Sequence, residues 1–191
     1  MANKCILILG GARSGKSDYA QELADVPNKS VVFAATAEPR DEEMKVRIEK
    51  HKNSRPAKWR TVESPTGLGM ALDTILSGGE TVIVDCITLL VSNIMGKHEN
   101  VALAQNHVIK EISELIDCMQ RKRCTFIIVS NEVGLGIVPD NDLARAYRDI
   151  LGKVNRMLAQ YATEVYFMTA GIPFQIKKMA SSGTVPPYCI N

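Results

Sequence analysis

No charge of one sign dominates this 191-residue chain: 23 Lys and Arg stand against 21 Asp and Glu, a formal net charge of +2. That balance removes any broad electrostatic reason to expect nucleic acid or an anionic membrane as the main partner. Long apolar runs are also missing. The first, Cys5 to Leu9, is far too short for a secretory core or a membrane span, so no targeting segment and no spanning helix are expected. The five cysteines, Cys5, Cys86, Cys118, Cys124 and Cys189, are odd in number and widely spaced. None has the paired spacing of a zinc site, which leaves reduced thiols in a cytoplasmic protein as the expectation. No repeat or low-complexity linker divides the chain. Residues 1–180 therefore read as a single domain, and the polar, proline-containing stretch 181–191 as a loosely attached tail.

Against those absences stand 46% hydrophobic and 23% charged residues, ordinary proportions for a protein with a substantial core. Four short runs rich in β-branched residues, Cys5 to Leu9, Val31 to Ala35, Thr81 to Cys86 and Thr125 to Ser130, read as strands buried on both faces. Glu164 to Thr169 reads as a fifth. Between them lie segments of helical spacing, Asp18 to Leu23, Asp41 to Asn53, Val101 to Arg121 and Leu143 to Tyr161. Alternating strands and helices predict an α/β fold with a mostly parallel central sheet flanked by helices on both faces.

The strongest motif is Gly10-Gly11-Ala12-Arg13-Ser14-Gly15-Lys16-Ser17. It matches G-x-x-x-x-G-K-[ST] and lies between a strand and a helix, where a phosphate-binding loop must be. Small residues let backbone N–H groups turn inward around phosphate oxygens, and the helix start attracts anions. Lys16 is expected at the β- and γ-phosphates, and the Ser17 hydroxyl on Mg²⁺. The sheet is therefore expected to be a P-loop NTPase sheet of RecA-like type, with GTP, ATP or both as co-substrates. Thr81-Val82-Ile83-Val84-Asp85 reads as a buried strand ending in a carboxylate. Asp85 then serves either as a second Mg²⁺ ligand or as a turn or helix cap, and its pairing with the loop favours the metal.

Asp41 to His51 has the pattern of a charged helix with a narrow apolar stripe. Arg47, His51 and Arg55 follow at i, i+4 and i+8 on one face if the helix persists. A solvated surface helix would carry the same pattern, and His98 and His107 read simply as surface histidines.

Taken together, the loop at 10–17, Ala35-Thr36, Arg47-Ile48-x-x-His51, Arg55-Pro56-x-x-Trp59-x-Thr61-x-Glu63 and Asn131-Glu132-Val133-Gly134-x-Gly136-Ile137-Val138-Pro139 resemble one family. It is that of the bifunctional adenosylcobinamide kinase/adenosylcobinamide-phosphate guanylyltransferases of cobalamin biosynthesis. The resemblance extends to about Lys177. It implies that a nucleoside triphosphate phosphorylates the aminopropanol hydroxyl of adenosylcobinamide. GTP then donates GMP to that phosphate, releasing pyrophosphate and giving adenosylcobinamide-GDP. By the same resemblance the guanylyl group passes through a histidine, here His51. Nucleotide contacts fall on Gly10 to Ser17, on Ala35, Thr36 and Ala37, on Lys52, Asn53, Ser54 and Arg55, and on Glu63 and Asp85. A symmetric homo-oligomer, a trimer, with nucleotide near subunit contacts is also implied.

The chemistry is sound on its own terms. A neutral imidazole, with an ordinary pKa of about 6.5, is a competent nucleophile near neutrality. Attack on the α-phosphorus divides a difficult transfer into two displacements, and Arg47 or Arg55 would steady the α-phosphate. Asn131 and Glu132 follow a strand, so they are expected at the carboxyl edge of the sheet, either positioning substrate or nucleotide or closing a polar turn. Trp59 reads as packing more readily than as a stacking platform. Three competing readings predict other features. A RecA-like ATPase working on nucleic acid or protein needs a basic stripe that is missing here. A GTP-binding regulatory module leaves Arg47 to Glu63 unexplained. A simple small-molecule kinase would release only nucleoside diphosphate.

Overall fold

The computed structural model describes residues 4–53 and 55–178; the tail expected at 181–191 lies outside them. Among the described residues the alternating pattern folds as seven strands and six helices in the order β1 (Lys4–Gly10), α1 (Lys16–Ala24), β2 (Val31–Ala35), α2 (Glu42–Asn53), β3 (Arg60–Glu63), α3 (Leu68–Ile75), β4 (Thr81–Asp85), α4 (Ile87–Met95), α5 (Val101–Arg121), β5 (Thr125–Val129), α6 (Asp142–Tyr161), β6 (Glu164–Thr169) and β7 (Ile172–Lys178). They form one sheet ordered β3-β2-β4-β5-β1-β6-β7. Every neighbouring pair is parallel except β6 with β7, which closes the sheet antiparallel.

Strand alternation divides the core in two, because successive side chains point to opposite faces. Cys5, Leu7 and Leu9 of β1 face a large apolar cluster that also takes Val82 and Val84 of β4 and the buried stripes of α3, α4, α5 and α6. Ile6 and Ile8 face a smaller cluster with Phe33, Ile83 and Ile127, covered by Ala20 and Ala24 of α1 and by Trp59. Both faces are covered, as the continuously apolar strands predict, but unequally. The helix α2 takes almost no part: none of its described residues is buried.

Four elements escape the sequence pattern for physical reasons. The strand β3 is an exposed edge strand of four residues, too short to carry an apolar run, and β7 is an exposed edge strand whose Ile172, Phe174 and Ile176 alternate instead of forming a continuous buried run. The helix α4 is buried on nearly every side, which erases amphipathic periodicity. The helix α3 starts without a cap of its own. Its first amides, Gly67 and Leu68, donate to the Glu111 carboxylate of α5 at 3.0 and 2.7 Å, a tertiary cap that local sequence cannot show.

The helices α3 and α5 cross at Gly69, where a Cβ would lie 2.7 Å from the Glu114 carbonyl carbon and 2.9 Å from the Leu115 nitrogen. Backbone cannot yield there as a side chain would. Gly69→Ala should cost about 1–3 kcal/mol, read as a lower urea midpoint with an unchanged slope; a midpoint equal to wild type would show that the crossing tolerates the methyl.

Candidate active site

The carboxyl ends of the parallel strands gather nearly every residue expected to act. In the loop after β1, three positions take left-handed or wide backbone angles, Gly10 (φ 150°), Arg13 (φ 57°) and Gly15 (φ 89°). At Gly10 a Cβ would sit 2.5 Å from the Met168 carbonyl oxygen, so only glycine fits between loop and β6. The loop is pinned from outside as well: Glu132 N–H donates to the Gly10 carbonyl at 3.0 Å, and Gly171 N–H donates to the Ser14 carbonyl at 3.2 Å. Inside it, the buried Lys16 ammonium donates to the Gly11 carbonyl at 2.5 Å and reaches Ser14 Oγ at 3.4 Å. Gly15 heads α1 with no side-chain cap, so the helix start presents its backbone N–H groups toward the loop, as an anion site requires.

Asp85, at the end of β4, is the electrostatic centre. Burial raises its pKa, opposed by a hydrogen bond from Ser17 and by the nearby charges of His51, Arg55 and Lys16. One carboxylate therefore sits among groups from α1, α2 and the segment before β3, and the loop serine and the strand aspartate are already paired. Among the described residues, no group of three or more His, Cys, Asp or Glu side chains could hold a metal. The oxygen pair Ser17 and Asp85 suits a hard cation that completes its shell with water and phosphate oxygens.

Arg55 is the clearest sign that the site suits an anion. Its guanidinium lies 3.6 Å over the Phe33 ring, yet its Nε and Nη1 are buried without a hydrogen-bond partner. Burial lowers its pKa, against the pull of Asp85 and Glu63. Such donors are costly to leave unpaired, and a phosphate oxygen matches them in charge and geometry. Beside it, Lys52 bonds Glu63 at 2.8 Å, an exposed contact that raises the Lys52 pKa and ties the end of α2 to the end of β3.

The remaining expected residues have the following places. Ala35 and Thr36 are buried and Ala37 partly so. Thr36 Oγ1 donates to the Cys86 carbonyl at 2.7 Å and accepts from Cys86 N–H at 2.8 Å, stapling β2 to β4. Asn53 is exposed at the end of α2. Ser54 and the Arg47 side chain lie outside the described residues. Asn131 is held through its backbone, donating to Thr88 Oγ1 at 2.7 Å and accepting from Asn155 Nδ2 at 3.0 Å. The Glu132 carboxylate accepts from Gly134 N–H at 2.6 Å. Both stand at the carboxyl edge as expected, in a tightly bonded turn. Trp59 is buried in the smaller core, the packing role.

Sequence reasoning missed the polar residues that brace this edge. Asn93 donates to the Thr36 carbonyl at 2.7 Å and accepts from Arg40 at 3.0 Å. Ser130 donates to Asn155 Oδ1 at 2.7 Å. The available signal was an asparagine inside an otherwise apolar stripe, since a buried amide is kept only where it is bonded.

Comparison with known proteins points to one family. The profile of the family described as cobinamide kinase / cobinamide phosphate guanyltransferase matches residues 6–176. The bifunctional adenosylcobalamin biosynthesis protein CobU of Salmonella typhimurium is 41% identical over 181 residues, covering 90% of this chain and 99% of the relative. CobU of Escherichia coli is 38% identical over 180 residues, with 90% and 99% covered. The bifunctional adenosylcobalamin biosynthesis protein CobP of Pseudomonas aeruginosa is 39% identical over 171 residues, with 90% and 96% covered. A solved structure from Pyrococcus horikoshii OT3 superposes with a TM-score of 0.54 over 99% of this chain and 94% of that one; at 9% identity it shows the fold alone.

Proposed function

Because the chain belongs to the cobinamide kinase / cobinamide phosphate guanyltransferase family, we propose that its two reactions share the carboxyl-edge site centred on Asp85. The protein is a bifunctional enzyme of cobalamin biosynthesis. It phosphorylates the aminopropanol hydroxyl of adenosylcobinamide from a nucleoside triphosphate and then transfers GMP from GTP to that phosphate. The observation that carries the shared site is the gathering of Ser17, His51, Arg55 and Lys16 around one carboxylate.

In the first reaction the loop amides and Lys16 hold the β- and γ-phosphates while the acceptor hydroxyl attacks the γ-phosphorus; the new O–P bond replaces the β–γ bridging P–O bond, nucleoside diphosphate leaves, and the hydroxyl proton passes to solvent. In the second, a nitrogen of His51 attacks the α-phosphorus of GTP. The new N–P bond replaces the α–β bridging P–O bond, and pyrophosphate leaves. An oxygen of cobinamide phosphate then attacks the same phosphorus, the N–P bond breaks, and His51 is regenerated. Arg55, with buried donors seeking an acceptor, steadies the α-phosphate. Ser17 and Asp85 fit Mg²⁺, which when bound would neutralise phosphate charge. Asn131 and Glu132 border the acceptor side.

We also infer a symmetric homo-oligomer, a trimer, as the family resemblance implies. The outer strand β7 supports it by presenting Ile172, Phe174 and Ile176 in alternation, all more than half exposed. No described helix is long and apolar enough to cross a membrane, and the nucleotide co-substrates favour a cytoplasmic setting.

Supplied with adenosylcobinamide, Mg²⁺ and GTP, the purified protein should release both nucleoside diphosphate and pyrophosphate and yield adenosylcobinamide-GDP. Chromatography that finds nucleoside diphosphate and cobinamide phosphate alone would reduce the reading to a kinase.

A further inference from the structure

We propose that the trough between the end of α4 and the start of α6 is the acceptor subsite, where one sector of the corrin of adenosylcobinamide lies during both reactions. The proposal rests on the functional reading above and names the place it leaves open. The trough encloses about 400 Å³ and is lined by Arg40, Met95, Asn141, Leu143, Ala144 and Tyr147, among others. A corrin is broader than this, so the trough can hold only part of it, and the rest needs a surface alongside. That surface is present. The loop before α6 holds Leu135, Ile137 and Val138 at 79%, 98% and 61% exposure, continuing to Leu143 at 62%. Arg145 fastens the loop to the helix by donating to the Pro139 and Asp140 carbonyls at 2.8 and 2.7 Å. An aliphatic shelf of this kind in water is unusual for a protein surface and marks a binding face.

The chemistry selects the occupant. A corrin presents methyl groups on its faces and a rim of primary amides. The shelf matches the methyls, while the trough supplies a few polar groups at its edge. Arg40 uses Nε on Glu38 at 3.0 Å and Nη2 on Asn93 at 3.0 Å. Its Nη1 lies over Gly96, where a Cβ would be 3.4 Å away; a rim carbonyl is the partner that guanidinium suits. Asn141 spends its carbonyl oxygen capping α6, accepting from Ala144 N–H at 2.7 Å, which leaves its NH₂ group to face a ligand.

Two hydrogen-bonded chains join this trough to the catalytic edge. Arg40 bonds Asn93, Asn93 donates to Thr36, and Thr36 N–H donates to the Asp85 carbonyl at 3.2 Å. Tyr147 donates to the Thr88 carbonyl at 3.2 Å, and the Thr88 hydroxyl accepts from Asn131 N–H. A ligand in the trough is thus held by the same braces that place the reacting groups.

The test compares Leu143→Glu, at an exposed position where folding is not at stake, with Ala144→Trp, which fills the trough without adding charge. Each should raise KM for adenosylcobinamide and for its phosphate roughly tenfold or more with little change in kcat. Labelling of the enzyme by GTP alone, which needs no acceptor, should stay at the wild-type level. Unchanged KM values in both variants would overturn the subsite, as would a parallel loss of labelling. A changed oligomeric mass with unchanged acceptor binding would identify the trough as a contact between copies and overturn it equally. Equilibrium dialysis with adenosylcobinamide separates this from the functional reading. Wild type that binds the corrin and loses it in Leu143→Glu supports the trough even if adenosylcobinamide-GDP never forms.

Discussion

Replacing His51 with alanine should abolish transfer of label from α-phosphate-labelled GTP onto the protein and lower adenosylcobinamide-GDP formation by a factor on the order of 10⁴–10⁶, while phosphorylation of adenosylcobinamide continues. The size of the effect follows from the role. A lost positioning contact slows a step, whereas a lost nucleophile removes the covalent route, and methyl has no lone pair to offer. The fold should not suffer, because His51 lies on α2, where no described residue is buried, so truncation opens no core cavity. Intact-mass and peptide analysis after denaturation reads the result directly: an acid-labile GMP adduct on the His51 peptide of wild type and none in the variant. A folded His51→Ala protein that still takes up the label would place the nucleophile elsewhere. His51 would then be a neighbour of Asp85 that takes no covalent part in the transfer.

Lys16→Ala should behave differently, losing both reactions together by roughly 10²–10³ in kcat/KM. The ammonium sits buried inside the loop, against the Gly11 carbonyl and Ser14 Oγ, where it meets phosphate charge that grows in either transition state. In the kinase step that charge develops around the transferring γ-phosphoryl group, and in the guanylyl step it develops on departing pyrophosphate. The two variants therefore divide the chemistry: one loses a single reaction, the other both. A Lys16→Ala enzyme that forms its GMP adduct at the wild-type rate would separate the sites, leaving the loop to the kinase step and GTP bound elsewhere in the second.

Read from the residues alone, the loop 10–17 was the most legible feature, because its function lies in backbone geometry that a local string of small residues dictates. The strand ending in Asp85 was legible for a similar reason, since a buried parallel strand must be continuously apolar and a carboxylate at its end breaks that rule visibly. His51 was less so. A charged helix with one histidine is ordinary, and only its company with Arg55 and Glu63 in a family pattern singled it out.

The chain's local chemistry thus determined the loop, the run of buried strands, the helices with a polar face, and the placing of Asp85 and Asn131 at strand ends. Tertiary structure alone decided the rest. It brought Ser17, Lys16, His51 and Arg55, which span 40 positions of sequence, to one carboxylate. It left the Arg55 donors buried without a partner, and it supplied the first turn of α3 with a cap from Glu111, 43 residues away from Leu68. The reason is physical. Periodicity and turn chemistry act over a few residues, whereas a desolvated charge or an orphan donor is a property of whatever the fold packs around it.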